Sequence, residues 1–136
     1  MKKVRVTNTP KGEVHNIYRG NIERQTKQNP DYRNTLFTGK HSQLIVMKLL
    51  PKQQIGNEVH PHVDQFFRVE QGCASFNINN GKNKFKECSG GAVMVPSGHW
   101  HNVVNKSTTT PLKLYTRSSP SNPPPGTRQK VRPKGD

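Results

Sequence analysis

Acidic side chains and long apolar runs are both scarce in this chain of 136 residues. Eight acidic residues face 22 lysines and arginines, which gives a formal net charge of +14 at neutral pH. The longest apolar run, from Leu44 to Leu50, is interrupted by Lys48, whereas a membrane-spanning helix needs roughly 18 apolar residues. The basic N-terminus is not followed by the apolar segment of a secretory signal. We therefore expect no membrane span and a cytoplasmic location.

Cysteine is equally scarce, because Cys73 and Cys88 are the only two in the chain. Two cysteines do not make the framework of a disulfide-rich domain. Both lie in stretches that are typical of strands, and proteins inside cells normally keep their thiols reduced. We therefore predict two buried structural thiols.

The positive charge is spread along the whole chain. Residues 1–34, 35–116 and 117–136 carry surpluses of +5, +5 and +4. Such a balance attracts polyanions, including nucleic acid, acidic membranes and phosphorylated ligands. A basic protein without a specific partner accounts for the same charge, so the charge alone leaves both interpretations open.

Composition divides the chain into three parts. Residues 1–34 are polar and mixed, and we expect them to form an N-terminal arm. Residues 35–116 hold most of the apolar side chains and predict the folded domain. Residues 117–136 are basic, rich in proline and almost free of apolar side chains. They therefore predict a disordered or extended tail.

Short strands account for the apolar segments of the middle part. Residues 73–79 alternate between apolar and polar side chains, with Ala74 and Phe76 on one face. Asn80-Gly81 then predicts a tight hairpin, because both central residues of a type I′ turn have positive φ. Further strands are predicted at Leu44–Leu50, Phe66–Val69, Lys84–Cys88, Ala92–Val95, Trp100–Val104 and Leu112–Thr116. No segment predicts a convincing helix, and this pattern indicates an all-β barrel or jelly roll.

Four of the six histidines fall into two clusters, His60/His62 and His99/His101. Residues two apart on a strand share a face, so each pair can point into one barrel interior, and Glu58 extends the first pair. Imidazoles and a carboxylate that converge in this way indicate a metal site. Pro61 can instead break the strand and leave the histidines in surface loops, and the spacing alone does not decide between the two.

The second histidine cluster resembles the second cupin motif. In cupins that motif is G, five residues, P-x-G, two residues, H, three residues and N. The chain has the same residues at the same spacings, namely Gly90, Pro96, Gly98, His101 and Asn105. The first cupin motif ends in H-x-H, three or four residues, E, six residues and G. Gln65 stands at the glutamate position ahead of Gly72, which places His60 and Glu58 at the two histidine positions.

Outside the motifs, roughly residues 20–127 resemble small bacterial cupins labelled as similar to mannose-6-phosphate isomerase. The resemblance is carried by Thr38–Gln43, Ile55–His60, Asp64–Glu70 and Pro111–Thr116. It implies a single-domain cupin, a jelly-roll β-barrel, with one divalent transition metal on Glu58, His60, Gln65 and His101. We also expect a small polar or anionic ligand and a homodimer.

This ligand set is richer in oxygen than three histidines and a glutamate, and it carries the same charge. Oxygen ligands favour manganese or ferrous iron, with zinc and nickel as alternatives. If the amide of Gln65 does not bind, the composition is that of the two-histidine, one-carboxylate triad of non-haem iron oxygenases.

Five further side chains are candidates for the pocket: His41, Gln43, His62, Arg68 and His99. His62 is either a fifth ligand or nearby base, or an exposed residue. Arg68 either binds an anionic substrate or forms a salt bridge. His41 and Gln43 lie on a strand that leads toward the site, and His99 faces outward or lines the rim.

Several functions fit this reading. One is a metal-dependent enzyme that oxygenates or isomerises a small polar substrate, the metal acting as a Lewis acid in isomerisation. Another is a basic cupin that binds nucleic acid or another polyanion, with a structural metal and no turnover. The tail lacks interleaved aromatic residues, so such binding would be to phosphates. A sensing cupin without turnover fits equally well, so the sequence does not decide whether the protein is an enzyme.

Overall fold

Two antiparallel sheets form the body of the protein. The computed structural model describes residues 17–120 and 126–134. Its elements are α1 (Ile22–Gln28), β1 (Arg33–Thr38), β2 (Gln43–Leu49), β3 (Gln54–Glu58), β4 (Asp64–Gln71), β5 (Cys73–Ile78), β6 (Asn83–Cys88), β7 (Ala92–Val95), β8 (His101–Val104), β9 (Leu112–Ser119) and β10 (Arg128–Gln129). One sheet has the order β10-β1-β2-β9-β4-β7 and the other the order β3-β8-β5-β6. This jelly roll confirms the predicted all-β fold class.

The core lies between the two sheets, because the strands of both sheets point their apolar side chains into this space. The alternation predicted for β5 is confirmed, since Ala74 and Phe76 are buried and Ser75 is half-buried. Phe67 on β4 is fully buried, and its ring meets that of Phe76 edge-on at 5.5 Å between centroids. The remaining buried core residues are Tyr32, Ile45, Met47, Leu49, Ile55, Val69, Val95, Val103, Leu112 and Leu114. The site described below sits at one end of this core.

A short helix occupies part of the predicted N-terminal arm, where no convincing helix was predicted. The side chain of Asn21 caps α1 by accepting a hydrogen bond from the backbone N–H of Arg24 at 2.9 Å. The ammonium of Lys113 on β9 donates to the backbone carbonyl of Lys27 at 2.7 Å, which ties the helix to the large sheet. At seven residues, α1 is too short to be stable alone, so these contacts account for it. Residues 1–16 of the predicted arm lie outside the described residues.

The described part of the predicted tail is extended and packs on the barrel. Arg128 and Gln129 form β10, which pairs with β1. The guanidinium of Arg128 binds the buried carboxylate of Asp31 at 2.9 Å. Sheet structure therefore exceeds the predicted range of 35–116 at both ends, since β1 begins at Arg33 and β9 ends at Ser119. The described ranges contain no helix with the length and hydrophobicity of a membrane span.

The two cysteines form a disulfide, so the prediction of buried free thiols is wrong. Cys73 on β5 lies directly opposite Cys88 on β6, and the sulfurs are bonded. Cys88 is exposed and Cys73 is half-buried. The turn between the strands spans residues 79–82 and has positive φ at Asn79, Asn80 and Gly81. The hairpin predicted at Asn80-Gly81 thus holds the two sulfurs together.

Removing this disulfide is expected to lower the free energy of unfolding by about 3 kcal/mol, because it closes a loop of about 15 residues in the unfolded chain. Urea titrations of wild type and of a Cys73→Ser/Cys88→Ser double variant measure the difference. Wild type in reductant should unfold like the double variant. Two reactive thiols in the unfolded, non-reduced wild type would contradict the disulfide.

Candidate metal centre

Three elements bring the predicted ligands to one end of the barrel. Glu58 ends β3 and pairs in register with His101, the first residue of β8. His60 follows two residues after the end of β3, and Gln65 lies near the start of β4. The backbone N–H of Gly98 donates to the carbonyl of His60 at 2.9 Å, which joins the two motif loops. Gly98 has a φ of 87°, a conformation that favours glycine at this junction.

The side-chain atoms of these residues converge. Nε2 of His60 lies 3.1 Å from one carboxylate oxygen of Glu58, and Nε2 of His101 lies 4.0 Å from the other. Candidate ligand atoms of these three residues all lie within 4.8 Å of one another. The amide oxygen of Gln65 is 3.1 Å from Nε2 of His101. Two imidazole nitrogens and a carboxylate therefore lie close enough together to bind one ion, and the amide oxygen of Gln65 lies beside one of those nitrogens.

Contacts behind the cluster fix the orientation of two of its members. Nδ1 of His101 lies 3.1 Å from the backbone carbonyl of His99 and donates to it, so Nε2 carries the lone pair toward the cluster. Nε2 of Gln65 donates to the hydroxyl of Thr116 at 3.0 Å, which turns the amide oxygen toward His101. The ring of Phe67 packs edge-on against that of His101, at 5.9 Å between centroids. These are the contacts by which proteins orient metal-binding side chains.

Two of the candidate ligand atoms face each other without a hydrogen between them. With Nδ1 donating, neutral His101 directs a lone pair at the amide oxygen of Gln65, so two acceptors face each other at 3.1 Å. A cation between them would satisfy both. The donor set, two nitrogens and two kinds of oxygen, therefore fits a divalent transition metal.

The pKa values of the cluster favour the metal-binding forms. Burial raises the pKa of the Glu58 carboxyl, but the hydrogen bond from His60 and the charges of His60, His101 and Arg33 outweigh it, so the pKa lies below its ordinary value. Burial lowers the pKa of His101 and outweighs the opposing effects of the His99 carbonyl and Glu58. Glu58 is thus ionised and His101 neutral near pH 7, as metal ligation requires.

A cavity of about 190 Å³ opens beside the cluster. Ile45, Met47 and Ile55 supply its apolar wall, and Arg33 supplies a cation. The other lining residues are Glu58, His60, Gln65 and Thr116. A small molecule could therefore reach the facing ligand atoms from this side.

Comparison with known proteins identifies the family of this chain. Residues 45–116 match the Cupin domain family, which is more than half of the chain. This protein belongs to the cupin family. An uncharacterized protein of Acanthamoeba polyphaga mimivirus is 42% identical over 113 residues, covering 81% of this chain and 69% of its own length. The uncharacterized protein YrkC of Bacillus subtilis is 45% identical over 111 residues, covering 79% of this chain and 59% of its own length.

A solved structure resembles this cupin over most of its length. The crystal structure of a Bacillus halodurans protein superposes with a TM-score of 0.82 and 36% identity, covering 86% of this chain and 91% of that chain. The chain spans less than two thirds of YrkC, so that protein's full length includes more than this cupin domain.

The structure brings the four predicted ligands together but places the five further pocket candidates elsewhere. His41, His62 and His99 are exposed, and Nδ1 of His99 is 2.9 Å from the amide nitrogen of Asn79. Gln43 is buried and donates to the hydroxyl of Thr38 at 3.0 Å. Arg68 pairs with Glu70 at 3.1 Å. None of the five is among the residues that line the cavity of this cupin.

Sequence reasoning missed the apolar wall of the cavity and two polar residues that line it, Arg33 and Thr116. Arg33 begins a strand that was not predicted, because four of the six residues of β1 are polar and a bulge interrupts the strand between Thr35 and Phe37. Thr116 lies on the predicted last strand, two residues after the buried Leu114. The period of two along that strand is a signal that could have placed it on the inner face.

Proposed function

We propose that this cupin holds one divalent transition metal on Glu58, His60, Gln65 and His101 and oxygenates a small polar or anionic substrate there. The observation that carries the proposal is the convergence of two imidazoles and one carboxylate beside a cavity. Those three side chains have the composition of the ligand triad that leaves positions open for substrate and dioxygen. The oxygen-rich set favours manganese or iron over zinc or nickel.

The residues of the chain have distinct parts in this proposal. When bound, the metal would supply a Lewis-acidic centre that, as iron or manganese, can also exchange electrons with dioxygen. The amide of Gln65 would be a weak ligand that a substrate could displace. Its hydrogen bond to Thr116 would keep the side chain in the site after that displacement. Ile45, Met47 and Ile55 keep water from that side of the cavity.

Isomerisation of a sugar has less support. Moving a proton between carbons requires a general base at the site. Glu58 is the single carboxylate among the residues that line the cavity, and it faces His60 and His101. Oxygenation needs no second carboxylate, which is why we favour it.

Binding of dioxygen-like ligands tests the proposal before a substrate is known. Protein loaded anaerobically with ferrous iron should bind nitric oxide and give a high-spin iron-nitrosyl signal in electron paramagnetic resonance. Glu58→Ala should lose the signal, and the matched variant Glu23→Ala, at an exposed position on α1, should keep it. An iron-loaded protein that binds no nitric oxide has no open position, and the oxygenase proposal would then be wrong.

Two substitutions of Gln65 should change the metal affinity in opposite directions, one by adding a charged ligand and the other by removing the ligand oxygen. Gln65→Glu adds a carboxylate to a site with one, and we expect Mn²⁺ to bind about tenfold more tightly, since divalent ions prefer charged oxygen ligands. Gln65→Leu removes the oxygen, and we expect affinity to fall about tenfold. Isothermal titration of metal-free protein measures both. Equal affinities in the two variants would show that position 65 does not face the ion.

Binding of nucleic acid or another polyanion has less support than metal chemistry. Two cations of the tail bind the protein's own groups: Arg128 pairs with Asp31 at 2.9 Å, and Nε of Arg132 donates to the backbone carbonyl of Gln54 at 2.6 Å. The homodimer and the cytoplasmic location stay predictions.

A further inference from the structure

The guanidinium of Arg33 stands out among the charged groups of the structure because of where it lies. Arg33 begins β1, pairs in register with Met47 and lines the same cavity as Glu58 and His60. Its guanidinium carbon, Cζ, is 5.4 Å from the centroid of the Tyr32 ring. It therefore brings a positive charge to the wall of the candidate metal centre.

Among the described residues no carboxylate forms an ion pair with this charge, whereas two other arginines on strands have such a partner. Arg68 pairs with Glu70, and Arg128 pairs with Asp31. Within residues 17–120 and 126–134, no ion pair includes Arg33. Glu58 lines the same cavity, but its carboxylate does not form an ion pair with Arg33. A half-buried cation that no carboxylate contacts is costly to hold in a folded protein. A ligand that brings its own negative charge would remove that cost.

The C-terminal strand holds the guanidinium in place. Nη1 of Arg33 donates to the side-chain oxygen of Gln129 at 2.8 Å. Gln129 lies opposite Arg33 in the β10–β1 pair, and the neighbouring Arg128 anchors β10 through Asp31. An arginine has five N–H donors, so this contact positions the group and leaves a face of donors for a ligand.

We propose that Arg33 binds the carboxylate of a small organic acid whose other oxygen reaches the metal site, and that Gln129 is its positioning residue. The proposal rests on the proposed metal site. A single guanidinium offers two parallel N–H groups, which match the two oxygens of a carboxylate. Arg33 is the single lysine or arginine among the residues that line the cavity, which is little charge for a phosphate dianion. The volume of about 190 Å³ limits the ligand to a few carbon atoms.

Pyruvate, its uncharged methyl ester and inorganic phosphate are suitable probes, because they separate carboxylate, carbonyl and phosphate. Titrations of the Mn²⁺-loaded protein should show that pyruvate binds more tightly than either of the others. Arg33→Gln should lower the affinity for pyruvate about 10- to 100-fold. Gln129→Ala should weaken it less, by about threefold, and Arg24→Ala on the exposed side of α1 should leave it unchanged.

Titration of Mn²⁺ itself separates failure of this proposal from failure of the metal site. Arg33→Gln should bind Mn²⁺ as tightly as wild type or more tightly, because a positive charge near the ion is removed. The role of Arg33 would be wrong if wild type bound Mn²⁺ but not pyruvate, or if Arg33→Gln bound pyruvate as well as wild type does. Neither result would contradict the metal site. Phosphate binding more tightly than pyruvate overturns the carboxylate assignment. If wild type binds no metal, the proposed function fails, and with it the two-point binding proposed here.

Discussion

Replacing His101 by alanine is expected to lower the affinity for Mn²⁺ by at least about 100-fold, since loss of a supporting contact alone costs metal sites 10- to 100-fold. His101 is 2% exposed, and its Nε2 faces both Glu58 and Gln65. The substitution also removes the ring against which Phe67 packs, so a water molecule does not restore the site. Isothermal titration of metal-free protein measures the loss.

His99→Ala is the matched control for this prediction. The side chain of His99 is exposed, and it is the backbone carbonyl of this residue that accepts from His101. The control removes an imidazole two residues away while keeping that carbonyl, so its Mn²⁺ affinity should equal that of wild type. Equal losses in the two variants would mean that the ion is bound elsewhere or that both changes act through folding.

Replacing Phe67 by alanine is expected to lower the free energy of unfolding by about 3–5 kcal/mol. The ring is fully buried and meets those of Phe76 and His101 edge-on. Its removal leaves a cavity between the two sheets that neighbouring strands cannot close. Urea unfolding followed by circular dichroism measures the loss.

Phe66→Ala provides the comparison at the next residue of the same strand. Phe66 faces the other side of β4, is half-buried and lies 6.2 Å from Tyr115 between ring centroids. We expect it to cost about 1 kcal/mol. If both variants lost the same stability, the assignment of Phe67 to the inner face would be wrong.

The hairpin shows how much of the fold a local pattern can predict. Alternation over residues 73–79 and the Asn80-Gly81 signal place β5, its turn and β6 correctly. Cys73 and Cys88 stand at equal distances from Asn80-Gly81 along the chain, so the same register would have placed them opposite each other. The prediction of free thiols relied on cellular location, and the geometry of the hairpin was the better guide.

The elements that the sequence did not reveal depend on contacts between distant residues. The helix α1 is short and is held by Lys113, which is 86 residues from Lys27. Strand β10 has two residues. It is held by pairing with the edge strand β1 and by the ion pair between Arg128 and Asp31. No local period in a basic, proline-rich segment indicates such a strand.

The motif resemblance was needed to choose among the histidines and to add Gln65 to the candidate ligands. Histidine spacing favoured His60, His62, His99 and His101 equally, yet β3 ends at Glu58 and leaves His60 and His62 beyond the strand. The loop then turns His60 inward and His62 outward. Arg33 and Gln129 lie outside both motifs, so the anion site proposed for them became visible only in three dimensions.

Anomalous diffraction from crystals of the Mn²⁺-loaded protein tests the central claim most directly. We predict one strong peak at the manganese edge, within bonding distance of Glu58, His60 and His101 and adjacent to the amide oxygen of Gln65. A peak among other residues, or fully loaded protein without a peak at this cluster, would contradict the account.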